Sequence, residues 1–175
     1  MRAALFFMLF ALAGIQQAHA WGQEGHSIIA EIAQQRLDAD TLRRVKALLG
    51  GELSMASVAS WADDYRAGHA ETGGWHLVNI PLGKSAYDPD RDCSKDNCVI
   101  QAIARFRGVL SDCSKSAADR ADALKFVIHF VGDVHQPLHD ETHFGVDGKD
   151  DRGEIVFPSR FSDSPATCTP CGTRA

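Results

Sequence analysis

His129 and Asp133 stand one helical turn apart in the stretch from Lys125 to Asp140, KFVIHFVGDVHQPLHD, with His139 close behind. That spacing projects both side chains from one helix face. Phe126, Val127, Phe130, Val131 and Val134 supply apolar contacts at helical spacing around them. Pro137 is expected to end the helix and let His139 fold back towards the same place. An imidazole and a carboxylate inside an apolar helix cannot both be left unpaired, because an uncompensated buried charge is costly. Either they pair with each other and with solvent, or they hold a metal ion.

The same donor types recur along the chain: the amino group of Trp21, if processing frees it, then His26, Asp63 and His76, before His129, Asp133 and His139. Histidine with carboxylate is the usual ligand set of zinc in hydrolytic sites, where an open position holds water. Each residue also has an ordinary reading. His26 can cap a helix, Asp63 beside Asp64 can be solvated, and His76 beside Trp75 can pack at an edge.

The elements that must carry these residues are mostly helical. His26 to Leu37 places Ile28, Ile29, Ile32, Ala33 and Leu37 on one face. Asp38 or Asp40 can cap a helix from Thr41 to Leu49 that Gly50 and Gly51 terminate. Ser54 to Arg66 predicts a third helix with Met55, Val58, Ala59 and Trp61 inward and Asp63 near its end. Trp75 to Leu82 alternates as an extended segment in which Pro81 excludes a central strand. Val99 to Leu110 is amphipathic, and Ser116 with Asp119 forms a capping box for the helix of the opening motif. The predicted architecture is an all-α single domain of packed helices.

The chain opens with Arg2, an apolar run from Ala3 to Ala13, and Ala18-His19-Ala20 before Trp21. This reads as a signal peptide over 1–20, too short for a membrane anchor, so the mature protein is expected to begin at Trp21 and to be secreted or periplasmic. No later segment is long and apolar enough for membrane insertion. Oxidising conditions favour disulfides, and Cys93 with Cys98 is expected to close a small loop, while the pairing of Cys113, Cys168 and Cys171 stays open. The formal charge of −5 excludes general electrostatic attraction to a phosphate backbone, so a nucleic-acid substrate needs bound cations.

Trp21-Gly-Gln-Glu-Gly-His26, SWADDYR from Ser60, WHLVNI from Trp75, RDCSKDNC from Arg91 and HFVGDVHQPLHD from His129 occur in that order. Together they resemble the zinc-dependent single-strand nuclease and 3'-nucleotidase family, the S-one and P-one nucleases, over Trp21 to about Arg152. The resemblance implies the all-α fold shared with zinc phospholipase C, a nuclease domain over 21–152, and a cluster of three zinc ions. The Trp21 amine and carbonyl, His26 and Asp133 would hold one zinc. Asp63, His76, His129 and the shared Asp133 would hold a second, and His139 would serve a third. Arg66 matches the position that stabilises charge on phosphate. The implied reaction is attack of metal-activated hydroxide on phosphodiesters of single-stranded DNA and RNA, giving 5'-phosphates, with removal of phosphate from 3'-nucleotides. A monomer is expected.

The chain departs from that pattern after Glu141. The family closes its third site with Asn-Leu-His-x-x-Trp-Asp, and no histidine follows His143 here. His143 is expected to be a loop residue, and 153–175 an atypical tail that makes the fold truncated at its C-terminus. Codons for Thr167 to Thr173, read one base earlier, can spell the absent motif, which suggests a one-base loss between about Gly153 and Thr167. An intact frame with incompatible codons refutes that. The alternatives are a zinc phospholipase C, a non-catalytic zinc-binding remnant and a purely structural helical domain.

Overall fold

A computed structural model describes residues 21–51, 53–84, 86–136 and 139, with 141–142 as backbone only. The signal peptide, Pro137, His143 and the tail from 153 therefore lie outside the described residues. The six α-helices among the described residues are α1 Gln23–Gln35, α2 Ala39–Leu48, α3 Trp61–Gly68, α4 Pro89–Asp92, α5 Val99–Ser111 and α6 Ala117–Asp133. Short 3-10 turns at Ala56–Val58, Ala70–His76 and Ser94–Asp96 join them, and the fold is an all-α single domain.

α6 organises the packing. Ser116 caps it, its Oγ accepting from the Asp119 amide at 3.1 Å. The helix then runs between two apolar clusters. Phe126 and Phe130, with Val134 just beyond, face Ala62, Val78, Val99 and Ala102, while Leu124 and Ile128 face Ala30, Leu49, Met55, Val58 and Ala59. A helix apolar on both sides belongs in the interior. α5 makes the most extensive packing against it, and α1 and α3 also contact it. Phe126 stacks on Phe106 at 4.2 Å and meets Trp61 edge-on at 5.0 Å.

Several elements differ from their sequence expectation for physical reasons. In α1, Ile28 and Ile32 are 60% and 46% exposed, while Ala30 and His26 are buried. The helix turns its smallest side chain and its histidine towards α6, because Ala30 allows close approach and His26 reaches Asp133 at 3.3 Å. The helix expected over Ser54–Arg66 breaks at Ala59. The Ala59 carbonyl accepts from His129 Nδ1 at 2.7 Å, and the Asp63 amide bonds to Ser60 O instead. Asp63 thus falls in the first turn of α3. The segment expected to be extended from Trp75 begins as a 3-10 turn that ends at His76. Only Ile80–Pro81 forms a strand, β1, which pairs in parallel with Glu141–Thr142, β2.

The remaining terminators follow their chemistry. Asp38, not Asp40, caps α2 by accepting from the amides of Asp40 and Thr41. Gly50 and Gly51 then adopt φ of 90° and 88°, which a side chain would disfavour. Cys93 and Cys98 form a disulfide with Cα atoms 5.3 Å apart. It closes the loop before α5, whose Val99 amide bonds to Leu77 O at 2.9 Å, next to His76.

Candidate metal centre

Five of the sequence-derived candidates meet around the C-terminal turn of α6. His129 and Asp133 come from that helix, His26 from α1, His76 from the end of a 3-10 turn and Asp63 from α3. The two oxygens of Asp133 serve different neighbours. Oδ1 lies 3.3 Å from His26 Nε2 and 3.9 Å from His139 Nε2. Oδ2 lies 3.1 Å from His76 Nδ1 and 3.3 Å from His129 Nε2. Asp63 Oδ1 stands 3.8 Å from His76 Nδ1 and 3.7 Å from His129 Nε2. His26, His76, His129 and Asp133 are each at most 3% exposed.

Ring orientation is set from behind. His129 Nδ1–H donates to the Ala59 carbonyl, which directs Nε2 towards Asp133 and His76. A backbone carbonyl behind an imidazole fixes its tautomer and raises its basicity as a ligand. His26 stacks on His129 with ring centroids 4.0 Å apart. His139 is brought over by its own backbone, since the Val78 amide donates to His139 O at 2.9 Å.

Electrostatics divide the cluster into two carboxyl groups and imidazoles of different character. Burial opposes ionisation of Asp133, yet hydrogen bonds from His129 and His76 overcome it and hold the carboxyl below the usual range. Burial pushes His26 down to about 4, and the His129 charge adds to that. Burial also lowers His139. For His129 burial acts downwards, but its hydrogen bond to Asp133 and the charges of Asp133 and Asp63 win and raise it.

The donor set fits zinc. His26, His129 and Asp133 form one group of possible ligands, and Asp63, His76 and His129 another, each with its ligand atoms within 4.8 Å of one another. Among the described residues His26 Nδ1, His76 Nε2 and His139 Nδ1 are buried with no hydrogen-bond partner, while the opposite nitrogen of each ring faces Asp133. Nitrogen and carboxylate ligands together, with none of thiol type, suit a hydrolytic zinc centre.

The cluster floors a cavity of about 280 Å³ lined by Trp21, Gly22, His26, Asp63, Arg66, His76, Asp133 and His139. Arg66 reaches Asp63 Oδ1 at 3.0 Å, with its side chain 43% exposed. The opening thus presents one guanidinium above a floor of imidazole and carboxylate. Every candidate residue named from the sequence lines this cavity or stands directly behind it.

Two contributors lie outside what residue types reveal. The Ala59 carbonyl acts through its backbone, which leaves no signature in the side chain. Gly132 lies against the His26 ring; the only hint in the sequence is a glycine inside an otherwise apolar helix.

The comparison with known proteins bears on this geometry. The S1/P1 Nuclease family model matches residues 21–156. Nuclease P1 of Penicillium citrinum is 39% identical over 132 residues, 70% of this chain and 48% of that protein. Endonuclease 2 of Arabidopsis thaliana is 37% identical over 145 residues, 76% of this chain and 49% of that protein. Nuclease S1 of Aspergillus oryzae is 36% identical over 139 residues, 74% of this chain and 47% of that protein. The chain spans about half the length of the curated relatives it matches. The matched region contains every residue of the cluster, and the chain belongs to the S1/P1 nuclease family.

Proposed function

We propose that this protein is a secreted, zinc-dependent endonuclease that hydrolyses single-stranded DNA and RNA to 5'-phosphate products and removes phosphate from 3'-nucleotides. The observation that carries this reading is the gathering of His26, His76 and His129 around both oxygens of one buried carboxylate, beneath an open cavity edged by Arg66. Family membership and the relatives' names, nuclease and endonuclease, support it.

In this reading the Trp21 amine and carbonyl, His26 and Asp133 hold one zinc, and Asp63, His76, His129 and Asp133 hold a second. His139 is available to a third. Bound zinc supplies a Lewis acid and a water acidic enough to attack phosphorus near neutral pH. The chain's own residues do the rest. Asp133 stays ionised and keeps two histidines on each side of its carboxylate. The lowered His26 and His139 are neutral at pH 7 and so ready as ligands. Arg66, anchored on Asp63, meets the phosphate at the mouth and offsets its charge. Processing before Trp21 frees the amine, which joins export to metal loading. The Cys93–Cys98 disulfide suits that destination.

The same donor set also fits a second reading, zinc binding without turnover. One experiment separates them. The protein is processed to Trp21, its zinc content is measured after dialysis against a weak chelator, and single- and double-stranded DNA are then offered. Retained zinc with chelator-sensitive cleavage of single strands is expected. Retained zinc without cleavage selects the second reading, and absence of zinc overturns both.

A further inference from the structure

We propose that Gly132 is a positioning residue of this centre, its missing side chain seating His26 against Asp133. The inference rests on the reading of His26 as a metal ligand. Gly132 precedes Asp133 in α6 and is buried against α1. A methyl group at Gly132 would lie 2.6 Å from His26 Nδ1 and 3.2 Å from its Cε1. The ring has nowhere to go. It is stacked on His129 at 4.0 Å, and its other nitrogen is 3.3 Å from Asp133 Oδ1, so any retreat moves Nε2 off the carboxylate.

Glycine is a poor helix residue, and Gly132, in the last turn of α6, has a local reason in the His26 ring against it. Gly108 in α5 and Gly68 in α3 show that such a reason is not general here, since a side chain at either would meet nothing within 4 Å. Gly25 in α1 makes the same kind of approach to Trp21, whose Cβ would lie 2.9 Å from an added methyl. Two glycine backbones thus bear directly on two of the residues lining the cavity. Gly132 sets the reach of His26, and through it the placing of one metal position.

Cobalt(II) titration of the metal-free protein, followed by its visible spectrum, tests this. Gly132→Ala is expected to weaken binding about 10- to 100-fold, the range for residues that orient a ligand from behind, and to alter the spectrum. Gly108→Ala should leave both unchanged. In a His26→Ala background, adding Gly132→Ala should cause no further loss, because the ring it strikes is gone. Where Gly132→Ala does not fold, the double variant is expected to fold, the vacated ring volume accepting the methyl. Wild-type binding by Gly132→Ala overturns the proposal, as does an equal loss in both backgrounds or a double variant that also fails to fold. If His26→Ala binds cobalt as the wild type does, the reading of His26 as a ligand fails instead, which is a separate result.

Discussion

Acidification from pH 7 to pH 4 will remove about 3 kcal/mol of stability from the metal-free protein through His26 alone. In the unfolded chain this imidazole titrates at its ordinary value of 6.5, and in the fold it is pushed down to about 4, chiefly by burial. Between those values the unfolded chain binds the proton and the folded chain does not, so stability falls as the pH falls. The contribution is fully present above 6.5 and is lost as pH drops towards 4. At about 1.4 kcal/mol per pKa unit the loss comes to about 3 kcal/mol. His129 acts in the opposite direction. Its raised value gives stability that is present below 6.5 and lost as pH rises through the folded value. The two must be separated by subtraction. Urea midpoints of wild type and His26→Asn, measured at pH 4, 5, 6 and 7 with chelator present, isolate the His26 contribution. The stability difference between the two proteins is expected to shift by about 3 kcal/mol across that range, in favour of wild type at pH 7. A difference that stays constant with pH would refute the burial argument.

Two further outcomes follow from the packing and the cluster. Asp133→Asn should strip both proposed metal positions at once, because Oδ1 and Oδ2 face different histidines; zinc content after gel filtration checks this, and wild-type content contradicts a shared carboxylate. Phe126→Ala should cost about 3–5 kcal/mol in urea unfolding, the range for a buried Phe, since Phe126 is 5% exposed and touches Phe106, Trp61 and Tyr65. A loss below about 1 kcal/mol would place it outside the core.

Much of the helical content was legible because helix signals are local. The Ser116 and Asp119 pair, the glycines after α2 and the apolar run of α6 act within a few residues. The candidate cluster was legible for a different reason: the chemistry needs particular residue types, and His129 and Asp133 already share a helix face. What failed were features settled across long sequence separations. The face that α1 buries is legible only in part: Ala33 and Leu37 pack against the core as expected, whereas Ile28 and Ile32 are exposed because a contact with Asp133, far along the chain, turns His26 and Ala30 inward. The break before α3 was invisible because its cause is the His129 ring, which draws the Ala59 carbonyl out of a helical bond.

The sequence by itself determined an all-α chain, the caps and terminators of its helices, the pairing of Cys93 with Cys98, and the set of donors available to a metal. Only the tertiary structure decided which oxygen of Asp133 faces which histidine, where Arg66 stands relative to the floor of the cavity, and how closely His26 approaches α6. The physical reason is range. Caps, turns and helical periodicity are fixed by neighbours along the chain, whereas a buried carboxylate that already has one histidine on its own helix gains its other partners only from three further segments that packing brings to it.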